Sequence, residues 1–244
     1  MNPRPFRALA RLGLLASLLA LGGCLLTGKT TPIQIYSPVV QIQPQDEWPQ
    51  VDWQLMVVRP SADQMLDSQR IMVRPDPNRL QVYSGSSWAE SMPDMLHSML
   101  LRAFEDSGRI AAVTRQSSSM RARFGLILDV RAFEAVYDGE VNPAVDIQIH
   151  AKLIHAPTTR VVSARTFRHW QRSDGTDVDS VVDAFSLGTR AFVDELVGWT
   201  LSEGENAGPK LKQWREERFR ERQQERARRI EGEGPPRRRD AASG

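Results

Sequence analysis

The sequence predicts an α+β fold: a mostly antiparallel sheet with two amphipathic helices packed on one face, in an order near β-β-β-α-β-β-β-β-α. Three observations predict it. Residues 122–135 and 145–153 alternate apolar and polar side chains with period two, as strands with one wet face do. Two other stretches, 91–108 and 176–199, repeat apolar residues every three or four positions, as helices lying on a sheet do. Tetrads that favour turns, among them PDPN and APTT, separate the alternating runs.

The elements follow in order. Residues 25–50 are rich in Pro, Gln and Thr, and IQIY at 33–36 reads as the end of a tether entering an edge strand. WQLMVV at 53–58 is a strand stopped by Pro60. RIMVR at 70–74 and RLQVY at 79–83 flank PDPN as a hairpin, with Tyr83 closing its second strand. SGSSW at 84–88 is then a strand-to-helix corner pinned by Trp88. Ser91 and Asp94 have the spacing of a capping box, with Pro93 in the first turn. Leu96, Met99, Leu100, Ala103 and Phe104 share the helix's apolar face, and Gly108 ends it.

A short strand at 110–113 precedes the meander. In its first long strand Phe124, Leu126, Leu128, Val130 and Ala132 face the core; in its second, Val145, Ile147, Ile149, Ala151 and Leu153 do so, and a third runs near 161–170. The second helix starts with Thr176 and Asp179 in capping spacing and buries Val181, Phe185, Phe192, Leu196 and Trp199, with Gly188 allowing close approach. Residues 203–209 end the globular part. The stretch 210–231 is helical in pattern, with Glu217, Glu221 and Glu225 placed to meet arginines one turn away. It has no wide apolar stripe, so it is expected to dock weakly.

Charge is spread unevenly. Residues 1–23 carry three arginines and no acid, the body at 24–209 holds 17 basic and 23 acidic residues, and 210–244 hold 12 basic and 7 acidic residues. A fold that binds nucleic acid concentrates basic charge on its body, so an acidic body with a basic tail argues against that class. The tail is either a solubilising coil or a surface for anionic headgroups.

At the N-terminus, Arg4, Arg7 and Arg11 precede an apolar run from Leu12 to Leu21, the order of a secretory signal over residues 1–23. LGGC at 21–24 resembles the lipobox of bacterial lipoproteins, whose cysteine is lipidated and becomes the new N-terminus. That resemblance implies a diacyl and palmitate-type anchor on Cys24, effectively permanent because each buried methylene contributes about 0.8 kcal/mol. It also implies the outer membrane, facing the periplasm, because Leu25 stands where an inner-membrane retention Asp would be. Cys24 is the only cysteine, so disulfides cannot brace the fold.

Chemistry-bearing constellations are sparse. His97, His150, His155 and His169 form no zinc motif, and no catalytic residue or metal ligand is assigned. Ser86 and Ser87 sit in GSSWA, which lacks the second glycine of a nucleophile elbow. Asp174, Asp177, Asp179 and Asp183 lack the twelfth-position Glu of a calcium loop and suit the start of a helix.

The stretch from Pro60 to Gly108 resembles the ABC-type transport auxiliary lipoproteins. It has a Leu-Asp pair (Leu66, Asp67), an Arg-Ile strand (Arg70, Ile71), and a second strand whose Tyr83 leads to Trp88 ahead of the first helix. The likeness runs over 33–201. Ser87 departs from the aromatic or basic residue usual before the Trp, and the charged tail at 202–244 has no counterpart. The resemblance implies a non-enzymatic auxiliary subunit without cofactor apart from the lipid on Cys24. It would dock an MCE-domain protein and its ABC or paraquat-inducible-type permease at the outer membrane, in a lipid transport system and as a homo-oligomeric ring. A scaffold lipoprotein of another outer-membrane complex, or an exported serine hydrolase using Ser86 or Ser87, are the alternatives.

Overall fold

Among the described residues, strand β7 (Phe124–Val136) is the hub of a nine-stranded mixed sheet. A computed structural model of the chain describes residues 32–116 and 121–232. The signal segment, Cys24 and residues 233–244 lie outside the described residues. The chain divides at Gln34, and the following account concerns the unit from Ile35 onward.

One edge of β7 pairs antiparallel with β8 (Ala144–His155), which pairs antiparallel with β9 (Arg160–Arg172). This is the expected meander. The other edge of β7 is shared along its length by three parallel partners. β2 (Val51–Val57) takes Phe124–Leu126, β3 (Ser61–Ala62) takes Asp129–Val130, and β4 (Arg70–Asp76) takes Ala135–Val136. The sheet therefore forks beyond β7: β6 (Ile110–Arg115) continues one branch from β2, and β5 (Arg79–Trp88) continues the other from β4. Tyr36 of β1 (Gln34–Tyr36) closes this second branch, its carbonyl accepting from the Ala89 N–H.

Helix α1 (Met92–Asp106) packs on β6 and β2, and α2 (Val178–Glu205) packs on β7, β8 and β9 from the same side. All five apolar residues expected on α1 are buried, as are Phe185, Phe192 and Leu196 of α2. Two aromatic groups hold the layers together. Trp88, Phe133 and Phe185 meet at centroid distances of 4.9 to 6.2 Å, and Trp53 meets Phe124 edge-on at 4.9 Å. Each fully buried apolar side chain contributes about 1.5–3 kcal/mol, and each ring pair roughly 0.5–1.5 more.

Five expectations change. Strand β5 does not stop at Tyr83. It runs through Ser84, Ser86 and Ser87 to Trp88, because Gly85 takes a left-handed φ of 70° and lets five residues of β5 span two of β4. Second, Ala132 does not share the face of Val130. Arg131 is an extra residue between the pairs Val130–Ile149 and Ala132–Gln148, and this bulge hands the core side to Phe133 and Ala135. Third, Ser91 caps no backbone N–H; its hydroxyl donates to Asp94, which an arginine has drawn outward. Fourth, Asp177 rather than Thr176 caps α2, accepting from the Ser180 N–H at 2.9 Å. Asp179 instead accepts the Tyr36 hydroxyl, and that bond pushes the Tyr36 phenol up to about 12.

The fifth change concerns the two ends. Residues 36–48, expected to be tether, form a strap across the helix layer: Val40 and Ile42 pack on the core and Trp48 is buried against Gly198. Helix α3 (Gly208–Gly232) docks through its first turns despite its polar composition. Leu211 is buried, Trp214 packs on the core, Lys210 donates to the Val162 carbonyl at 2.7 Å, and Glu217 pairs with Arg160 at 2.7 Å. Glu217 therefore turns to the sheet rather than to an arginine of its own helix; the pair within the helix is Glu216–Arg220, at 3.8 Å.

Candidate functional site

Most of the residues singled out before the first helix converge on one corner. Strand β2 ends at Val57, and the chain then presents Arg59 to two carboxylates. The guanidinium donates to both oxygens of Asp67, at 2.7 and 3.1 Å, and to both oxygens of Asp94, at 2.6 and 3.0 Å. It also reaches the Ser91 hydroxyl at 3.2 Å. A planar fork of five donors suits this double grip, which a lysine cannot reproduce. Arg59 and then Ser91 hold the Asp94 carboxyl down at about 2, and Arg59 lowers Asp67. The backbone completes the corner: Trp88 donates to the Gln69 carbonyl at 2.7 Å, and Met92 to that of Ser68 at 3.0 Å. Leu66 and Ile71 are buried beneath, Trp88 is sealed against Phe185, and Arg70 stands exposed opposite Ser87.

Tyr83 is not part of this corner. It sits on the far side of the Gly85 bulge with its hydroxyl buried beside that of Tyr137; burial, and then Tyr137, push its phenol up. Cys24 lies outside the described residues. Ser86 and Ser87 are half-buried strand residues. The four histidines have other partners: His97 meets the Val57 carbonyl and Arg115, His150 meets Thr166, His155 meets Thr158, and His169 lies 3.1 Å from Glu195. Among the described residues no group of three or more His, Cys, Asp or Glu is placed to hold a metal.

A second surface had no signal in the sequence beyond "wet face". On the side of the sheet away from the helices, Glu134 and Asp146 are direct cross-strand neighbours, each only 7% exposed. Like charges at that position repel unless each is neutralised. Arg74 grips Glu134 at 2.6 and 3.1 Å, and Arg168 grips Asp146 at 2.9 and 3.2 Å. Arg172 holds Asp138 in the same way at the sheet's end. Trp170, the cross-strand neighbour of Asp146, is 44% exposed among these forks. Trp and Arg on a rigid sheet are the residues that carry binding energy in protein interfaces.

Fold and corner together define an α+β module whose strand-to-helix junction is locked by one arginine, with an Arg- and Trp-bearing sheet face on which none of the described helices packs. Residues 34–197 match the family model described as the ABC-type transport auxiliary lipoprotein component, and the chain belongs to this family. An uncharacterized protein of Bradyrhizobium diazoefficiens is 28% identical over 147 residues, which make up 60% of this chain and 39% of that protein. The chain thus spans about two fifths of that relative's length. A crystal structure of a Xanthomonas campestris protein is 47% identical and superposes with a TM-score of 0.68, covering 71% of this chain and 98% of the other. A further crystal structure of an uncharacterized protein, 15% identical with a TM-score of 0.53, covers 68% of this chain and 97% of its own and shares the fold. No described helix is long and apolar enough to cross a membrane.

Proposed function

We propose that this lipoprotein is a non-enzymatic auxiliary subunit of an MCE- and ABC-type intermembrane lipid transport system. A lipid on Cys24 anchors it to the outer membrane, and its folded domain docks the periplasmic end of the MCE assembly, as a homo-oligomeric ring. The observation that carries this reading is the family match over 34–197 following an LGGC sequence at 21–24. The helix-free sheet face, with Trp170 between arginine–carboxylate forks, supports a docking role and is the surface proposed for it.

Affinity purification of the anchored protein from its own membranes tests the reading. An MCE-domain protein and its permease should co-purify, and Trp170→Ala should weaken their recovery while Cys24→Ser releases the protein from the membrane fraction. Recovery of an outer-membrane complex free of any MCE protein would instead favour a scaffold role. Native mass spectrometry of the purified protein reads the ring directly.

A further inference from the structure

The charge in α3 is ordered in a way composition conceals. At 3.6 residues per turn, Arg215, Arg218, Arg222, Arg226 and Arg229 fall within an arc of about 80° and form a stripe roughly 21 Å long. Phe219 lies along one margin of the stripe, 63% exposed, in clefts lined by Arg215, Arg218, Arg220 and Arg222 together with Glu216. Glu225 stands at the other margin. Of the other acids between Arg215 and Arg229, Glu216 is neutralised by Arg220, Glu217 pairs with Arg160, and Glu221 lies about 60° outside the arc. From Phe219 to Arg229 every residue is exposed, and among the described residues Arg222, Arg226 and Arg229 form no ion pair, while the first turns are docked.

We infer that this stripe is a docking surface for anionic phospholipid headgroups. Arginine forks match phosphate oxygens bidentately. A row of four to eight basic residues on a helix is attracted to a negatively charged leaflet. An exposed Phe at the margin supplies the short apolar insertion that holds an interfacial helix at the level of the headgroups. An acidic helix of a partner protein would satisfy the arginines but leave Phe219 without a role, which favours the lipid surface.

Cosedimentation of the chain from residue 24 onward, carrying Cys24→Ser, with phosphatidylcholine vesicles with and without about a third phosphatidylglycerol tests this inference. Binding should need the anionic lipid and fall steeply with salt. The variant R218Q/R222Q/R226Q/R229Q should lose it by about an order of magnitude or more, and Phe219→Ala should weaken it by a smaller factor. Circular dichroism should show α3 intact in both variants, since Gln is nearly as good a helix former as Arg. Equal binding by the fourfold variant, equal binding to neutral vesicles, or capture of an acidic helical peptide with no capture of vesicles would each overturn the inference. The chain tested carries no lipid and meets no transporter, so its failure would leave the proposed function untouched.

Discussion

Trp88 touches both layers of the fold, its indole edge-on to Phe185 of α2 and to Phe133 of β7. Truncation to Ala should cost about 3–5 kcal/mol, measured by urea unfolding, because rings on two separate elements cannot collapse together into the space. Arg74 acts differently. Arg74→Met leaves the Glu134 carboxylate facing Asp146 without a counter-ion and should cost about 1–3 kcal/mol. Adding Glu134→Leu to it should recover most of that loss, which a double-mutant cycle checks. At this scale the sequence was legible where a residue acts locally. Trp88 announced itself as a large apolar side chain at a turn. Arg59 did not, since its carboxylates lie 8 and 35 positions away and only the folded chain brings them together.

Helix α1 is held at its start by that same arginine, so its first turn should be sensitive to acid. The Asp94 carboxyl is ionised more readily in the folded than in the unfolded chain. Its contribution is complete above about pH 4 and is lost as the pH falls toward about 2. Hydrogen exchange in the first turn of α1 should speed up through that window, and Arg59→Gln should remove the step. Helix α2 is set by close approach instead. A methyl group at Gly204 would collide with the Trp53 ring, and one at Gly198 would lie 2.5 Å from the Trp48 indole nitrogen. Gly204→Ala should therefore destabilise by about 1–3 kcal/mol in thermal melts, although Ala is the better helix former by roughly 1 kcal/mol. Periodicity showed these elements because one face of each is buried. The Arg131 bulge and the β5 extension gave no such signal, since each is a register decision made by the neighbouring strand.

Across the whole molecule, the meander of β7, β8 and β9 was readable because hairpin neighbours are also neighbours in sequence. The three parallel joins to β7 were not, since they link strands up to about 70 residues apart that only the core brings into line. The docked start of α3 was obscured by its charged composition, where two apolar residues carry the contact. Ending the chain after Arg218 should leave its melting temperature nearly unchanged, whereas ending it after Glu205 removes Leu211 and Trp214 and should cost about 2–4 kcal/mol.

The strap at 36–48 also sets a length. With those residues bound to the helix layer and Gln34–Tyr36 paired in β1, at most residues 24–33 can act as a leash for a domain anchored as proposed, a span of no more than roughly 35 Å. A domain held that close to a membrane can meet only what reaches into a layer no thicker than its leash plus its own body, so a partner in the proposed assembly must itself extend to that layer.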